Sequence, residues 1–166
     1  MDIIQTFYDN LASQYDKLFL DWQSESREQA AILNKLFQAG GFDTSAAVLD
    51  CACGIGTQAI GLAALGYCVA ASDISDAEIA QAKKRAANNH VDIRFEHADF
   101  RALSDTFSER FDIVICMDNA LPHMLSESEL ERAVSSITGG GCSRLSWESK
   151  DRWSDVHVKM RCLTKC

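Results

Sequence analysis

The sequence predicts a three-layer α/β domain built on a parallel β-sheet. Short apolar segments that suit buried strands alternate along the chain with stretches whose apolar residues recur at helical spacing. The first of these segments runs into a glycine turn, and an aspartate follows three of them. Because strands that alternate with helices are typical of a parallel sheet covered by helices on both faces, we expect this architecture.

Two helices are predicted ahead of the first strand. Residues 3–20 and 25–38 both carry apolar side chains at helical spacing. Gly40 and Gly41 are suited to end the second helix. We therefore expect two amphipathic helices packed against the domain.

A strand, a glycine turn and the start of a helix are predicted next. Ala46–Leu49 is a short apolar run with a β-branched residue, as expected of a strand covered on both faces. Gly54 and Gly56 permit a tight turn that a ligand can approach closely, and Thr57 is a suitable N-cap for a helix through Ala63. A strand that leads through glycines into a helix N-terminus suits the polar end of a nucleotide-like ligand.

Three further strands and two helices complete the predicted domain. The strands are expected at 67–72, 92–96 and 111–117, the second near a sheet edge and the third the most clearly buried. Capping boxes that begin at Ser75 and Ser126 predict helices reaching about residues 88 and 137.

Composition excludes several classes of partner. A formal net charge of −8 argues against binding to a nucleic-acid backbone. No run approaches the length of a membrane span, and the N-terminus lacks the basic start of a secretory signal. Seven irregularly spaced cysteines indicate reduced thiols in a cytoplasmic protein, and the pair Cys51 and Cys53 has no second ligand pair nearby to form a metal site.

Three aspartates follow successive predicted strands. Asp50 precedes the glycine turn, while Asp73 and Asp99 come after the next two strands. Since the carboxyl ends of parallel strands line the ligand crevice of an open sheet, we expect all three carboxylates there. Asp73 is placed to accept hydrogen bonds from both hydroxyls of a ribose, and Asp99 is placed to accept one from an exocyclic amino group. Asp50 lies nearest the reacting end of the ligand, where a cationic group would be paired with its negative charge.

These motifs together resemble those of class I S-adenosylmethionine-dependent methyltransferases. The resemblance rests on residues 48–57, Asp73, Asp99 and the strand that ends at Met117. Asp50-Cys51-Ala52-Cys53-Gly54-Ile55-Gly56-Thr57 is also similar to the D-x-A-C-G-x-G-T segment of glycine and sarcosine N-methyltransferases. Residues 116–123 resemble the segment that follows the fourth strand in that group.

The resemblance implies a Rossmann-like methyltransferase fold, S-adenosylmethionine as cofactor and a small-molecule amine as methyl acceptor. Asn119 and His123 would face the acceptor, and either His123 or solvent would take the proton of the amine. The same histidine could instead cap the following helix. The residues expected at the cofactor are Tyr15, Trp22, Arg27, Asp50, Ala52, Gly54, Gly56, Asp73, Asp99, Phe100 and Met117.

A nicotinamide dinucleotide domain is the competing interpretation. Gly54-x-Gly56-x-x-Ala59 satisfies the loose glycine pattern of such domains. Four residues separate its first glycine from the strand, however, and the pattern gives Asp99 no role.

The resemblance ends near Thr138, so we expect a methyltransferase domain over residues 1–138, truncated on its C-terminal side. Residues 139–166 carry six basic and three acidic side chains, in contrast to the acidic remainder, and resemble no part of the family. An altered reading frame would explain this tail. A fragment that binds the cofactor without catalysis is therefore a second expectation for function.

Overall fold

Four parallel strands form the centre of the molecule. The computed structural model describes residues 5–7, 21–118 and 120–139. Within them the strands lie in the order β3-β2-β1-β4, and each neighbouring pair is parallel. The strands are β1 (Ala47–Asp50), β2 (Cys68–Asp73), β3 (Arg94–His97) and β4 (Ile113–Ile115). The predicted parallel sheet is confirmed, including the edge position of the strand near residue 95.

Helices cover both faces of the sheet and make the predicted three layers. Alternate strand residues point to opposite faces, so Val48 and Val69 pack with the helices at 22–39, 57–64 and 76–88, while Leu49 and Ala70 pack on the other side. That second side is closed by the 3₁₀ helix at 100–105 and the helix at 127–137. The α-helices are α1 (Trp22–Ala39), α2 (Thr57–Ala64), α3 (Asp76–Asn88) and α4 (Glu127–Ile137), and the 3₁₀ helices are Phe100–Asp105 and Leu121–His123.

Close contact between α1 and α2 fixes the helix that follows the glycine turn. A Cβ atom on Gly61 would lie 2.6 Å from the backbone oxygen of Ser26, so only glycine lets the two helices approach this far. Ser26 Oγ donates to the backbone oxygen of Thr57 at 2.6 Å, and the indole N–H of Trp22 donates to Thr57 Oγ1 at 3.0 Å. The N-terminus of α2 is thereby anchored to α1.

The structure corrects two details of the predicted elements around the site. Gly56, with φ +87°, is the N-cap of α2, and Thr57 is its first helical residue, with its hydroxyl accepting the indole N–H of Trp22 instead of capping the helix. The strand predicted at 111–117 is only three residues long. At its start Asp112 still bonds Ala47 through both backbone and side chain, whereas at its end the chain turns away at Asp118.

The four cysteines of the described residues differ in burial. Cys51 and Cys53 are buried free thiols, but Cys68 is exposed because it opens β2 rather than lying within it. Most of the predicted helix at 3–20 and almost all of the tail at 139–166 lie outside the described residues. The domain boundary near residue 138 therefore stays a prediction.

Candidate functional site

A cleft opens at the carboxyl edge of the sheet, where β1, β2 and β4 lead into their following segments. Its walls come from the glycine turn, the end of β2, the start of α3, the segment after β3 and the segment after β4. Seven of the predicted site residues line it, namely Ala52, Gly54, Asp73, Asp99, Phe100, Met117 and His123.

The glycine turn presents its backbone to this cleft. Gly54 has φ +51°, and a Cβ atom there would lie 3.1 Å from Glu78 Oε2. Gly56 has φ +87°, and its Cβ would lie 3.0 Å from Ile60 Cδ1 and 3.2 Å from Ala82 Cβ. Both positions therefore favour glycine, Gly54 for the cleft and Gly56 for the packing of α2 against α3.

Asp73 holds the glycine turn from the neighbouring strand. Its Oδ2 accepts the N–H of Gly54 at 2.8 Å, and its Oδ1 accepts the N–H of Ser75 at 3.0 Å. The side chain is only 8% exposed. Burial raises the pKa of Asp73, and the N–H groups of Ser75 and Gly54 offset part of that rise. Each oxygen retains a lone pair that a ligand hydroxyl can use.

Asp99 forms a charged cluster with Arg101 and Glu129. Arg101 Nη2 lies 2.7 Å from Asp99 Oδ2, and its Nη1 lies 3.1 Å from Glu129 Oε1. Burial raises the pKa of Asp99, but the hydrogen bonds and charge of Arg101 outweigh it and hold that pKa below its ordinary value. Asp99 also accepts the N–H of Arg101 and so begins the 3₁₀ helix that carries Phe100.

Asp50 lies beneath the cleft and is not part of its wall. Its side chain is 0% exposed at the end of β1. Burial raises the pKa of Asp50 to about 8, the negative charges of Asp73 and Asp118 add to the rise, and the N–H groups of Ala52 and Ala59 oppose it. The carboxyl group is therefore protonated at neutral pH, and it does not supply the negative charge that the sequence suggested for it.

The β4 side of the cleft is built around Asp118. This residue has φ +58°, a left-handed conformation that few non-glycine residues adopt. Gln58 Nε2, in the first turn of α2, donates to Asp118 Oδ2 at 3.3 Å and to Gln29 Oε1 at 2.8 Å. Met117 and His123 lie on the same side.

Four predicted cofactor residues lie away from the cleft wall. Gly56 packs two helices together and Asp50 is buried, as described above. The indole of Trp22 bonds Thr57, with the guanidinium carbon of Arg85 4.3 Å from the ring centroid, and Arg27 is exposed on α1. The structure thus gives Trp22 a packing role. Two further predicted residues, Tyr15 and Asn119, lie outside the described residues.

Three charged residues of the wall were not anticipated. Glu78 was interpreted as part of a capping box, and its N–H does donate to Ser75 Oγ, but its carboxylate lines the cleft beside Gly54. Arg101 gave no signal beyond its position two residues after Asp99. Asp118 directly follows Met117, and its position between two predicted site residues could have identified it.

The described part of the chain lacks two kinds of feature. No helix there is long and apolar enough to cross a bilayer. No group of three or more histidine, cysteine, aspartate or glutamate side chains is arranged to hold a metal ion in those residues.

The chain is similar in sequence to known proteins. A profile of the methyltransferase domain matches residues 48–139, which is more than half of the chain. Glycine/sarcosine N-methyltransferase from Parasynechococcus marenigrum is 28% identical over 130 residues, or 78% of this chain and 45% of that protein. The enzyme of the same name from Aphanothece halophytica is 28% identical over 77% of this chain and 47% of that protein. The chain thus spans about half the length of these relatives.

A solved structure agrees with the fold. Magnesium protoporphyrin IX methyltransferase from Synechocystis PCC 6803, with bound SAH, superposes with a TM-score of 0.67 at 19% identity. The match covers 82% of this chain and 66% of that one, and it shows the class I Rossmann-like fold. The chain belongs to the methyltransferase domain family.

Proposed function

We propose that the cleft binds S-adenosylmethionine and that the chain is the cofactor-binding part of a methyltransferase acting on a small-molecule amine such as glycine or sarcosine. The observation that carries this proposal is the pairing of Asp73 with Gly54 at 2.8 Å on the cleft wall. It brings a buried carboxylate and the half-buried backbone of the glycine turn together at the cleft, and both suit a nucleoside with its polar attachments.

The residues present fit the nucleoside half of that cofactor. Asp73 would accept the ribose hydroxyls through its remaining lone pairs, next to the backbone of Gly54. Phe100 lies on the β3 side, where an aromatic ring suits the ring of adenine. Asp99 lies beside it, but both of its oxygens already accept N–H groups of Arg101, so it would have to exchange one of these bonds to accept the adenine amino group.

The charge of the cleft favours a cationic ligand. Asp73, Glu78 and Asp118 line it together with Asp99, whose charge is matched by Arg101. Since clefts lined by one sign of charge concentrate ligands of the opposite sign, the acidic excess suits a sulfonium ion.

The bound cofactor would supply a methyl group on a sulfonium, which is already a good leaving group. The chain would then mainly hold the nucleophile in line with that methyl group, and positioning of this kind can contribute roughly 7–11 kcal/mol to lowering the barrier. The attacking amine must be neutral. His123, on the β4 side of the cleft, is a candidate to take its proton, and solvent is the alternative.

A fragment that binds the cofactor without turnover is the second candidate function. We also infer a reducing location such as the cytoplasm from the free thiols of Cys51, Cys53, Cys68 and Cys116. Thiol labelling of the protein in unbroken cells would test that location.

Calorimetric titration with S-adenosylmethionine and S-adenosylhomocysteine tests the cofactor. Asp73→Ala should weaken binding on the order of a hundredfold, because it removes two charge-assisted hydrogen bonds of about 1.5 kcal/mol or more each. Asp105→Asn, an exposed aspartate of the 3₁₀ helix that does not line the cleft, is the control and should bind as the native chain does.

Three results would contradict parts of this proposal. Equal affinity for the native chain and Asp73→Ala would remove Asp73 from the ligand site. Tighter binding of NAD than of S-adenosylmethionine would favour the dinucleotide interpretation. A radiolabelled-methyl assay with glycine and sarcosine then separates the two candidate functions, since binding without transfer supports the non-catalytic one.

A further inference from the structure

We propose that the Asp118 carboxylate binds an ammonium group at the β4 side of the cleft. The proposal rests on the function proposed above and extends it to the part of the site where the methyl group would be transferred. Two sources can supply the ammonium group, namely the amino-acid end of the cofactor and the acceptor amine.

The backbone at Asp118 is held in a conformation that needs support. A non-glycine residue at φ +58° is uncommon, and such residues persist where the surrounding structure fixes them, often at ligand sites. Asp118 lies between β4 and the Leu121–His123 segment, and it lines the cleft. The turn thus places a carboxylate on the wall at the point where the chain leaves the sheet.

A buried amide orients that carboxylate. Gln58 is only 2% exposed, and its Nε2 donates to Gln29 Oε1 at 2.8 Å and to Asp118 Oδ2 at 3.3 Å. An amide nitrogen has two hydrogens, so both are used and the amide cannot rotate without losing a bond. The position of the carboxylate is therefore set from the protein interior, through residues of α1 and α2.

The strand order separates Asp118 from the carboxylates expected at the nucleoside. β4 lies on one side of β1, while β2 and β3 lie on the other. Asp73 ends β2 and Asp99 follows β3, so a nucleoside held by them leaves the β4 side to its amino-acid end and to the acceptor. An ammonium ion bonded to a carboxylate is the charge-assisted pairing that this position offers.

Binding of two related ligands to two variants tests the proposal. S-Adenosylhomocysteine carries an ammonium group, whereas 5′-methylthioadenosine is the corresponding nucleoside thioether without the amino acid. Asp118→Asn keeps the shape and tolerates positive φ, and Asp118→Gly keeps the backbone conformation while removing the side chain. Asp105→Asn is again the control for the loss of one negative charge.

We expect both Asp118 variants to bind S-adenosylhomocysteine about fivefold more weakly, as suits a partly exposed ion pair, and to bind 5′-methylthioadenosine unchanged. That result identifies the ammonium group of the cofactor. The acceptor amine is identified instead if both variants bind the two nucleosides unchanged and, when loaded with S-adenosylhomocysteine, bind sarcosine about fivefold more weakly than the native chain does.

Two outcomes would overturn the proposal. The first is that both Asp118 variants bind S-adenosylhomocysteine, 5′-methylthioadenosine and sarcosine with native affinity. The second is that both variants lose the same affinity for S-adenosylhomocysteine and for 5′-methylthioadenosine, which would place Asp118 at the nucleoside. A native chain that binds neither nucleoside defeats the proposed function itself, so that failure is distinct from the failure of Asp118 alone.

Discussion

Replacing Asp50 by asparagine should change how the stability of the protein depends on pH. The folded chain raises the pKa of this carboxyl group to about 8, whereas in an unfolded chain the pKa returns to about 4. Between these values the folded state holds a proton that the unfolded state has released. Stability contributed by Asp50 is therefore present at acid pH and is lost as the pH rises from about 4 toward 8.

The size of the effect follows from proton linkage. One extra proton in the folded state lowers the free energy of unfolding by about 1.4 kcal/mol for each pH unit. Between pH 5 and pH 7 the native chain should lose roughly 3 kcal/mol from this group alone, which is a large share of the stability of a typical domain. Asparagine does not titrate, so Asp50→Asn should gain that amount relative to the native chain over the same interval.

Urea unfolding at pH 5, 6, 7 and 8, followed by tryptophan fluorescence, measures the difference. Only the change of this stability difference with pH matters, because the extra amide hydrogen of asparagine can shift the absolute stability at every pH. Asp73 is present in both proteins, and the rise in its pKa largely cancels in the comparison. The free energy of unfolding of Asp105→Asn should change with pH in the same way as that of the native chain. A stability difference between Asp50→Asn and the native chain that stays constant from pH 5 to pH 8 would refute the assignment of a buried, protonated Asp50.

Two further predictions concern the anchoring of α2 to α1. Gly61→Ala should lower the free energy of unfolding by roughly 1–3 kcal/mol, because its Cβ would meet a backbone oxygen at 2.6 Å. Gly40→Ala, at φ −78° and with its Cβ at 3.2 Å from the backbone oxygen of Phe37, is the milder comparison, and equal thermal stability of the two variants would contradict the steric argument. Trp22→Phe should cost about 0.5–1.5 kcal/mol through the lost bond to Thr57 while the ring still faces Arg85, and an unchanged midpoint in urea would show that this bond contributes nothing.

The fold was predictable because its signals are local. The alternation of strands and helices and the glycine turn depend on neighbouring residues alone. The two serine caps also depend on neighbouring residues alone. As predicted, the side chain of Ser75 accepts the N–H of Glu78, and the side chain of Ser126 accepts the N–H of Glu129. Such signals fix the order of elements and therefore which strand ends meet at the cleft.

The roles of individual side chains were less predictable because they depend on contacts between distant elements. Asp50 precedes the glycine turn in the sequence, but only the packing of the layers buries its carboxyl group below the cleft. Trp22 has the size expected of a cofactor contact, yet its indole bonds Thr57, 35 residues further along the chain. The amide that orients Asp118 comes from Gln58, 60 residues away from it.

The two sides of the cleft differ in how far ligand binding can be separated from folding. On the β2 side the buried carboxylate of Asp73 bonds two backbone N–H groups, so its replacement should disturb both the glycine turn and any ligand held there. On the β4 side the exposed carboxylate of Asp118 bonds a side chain, and its backbone conformation suits asparagine and glycine as well. Loss of binding at Asp73 must therefore be corrected for loss of stability, whereas loss of binding at Asp118 reports on the ligand.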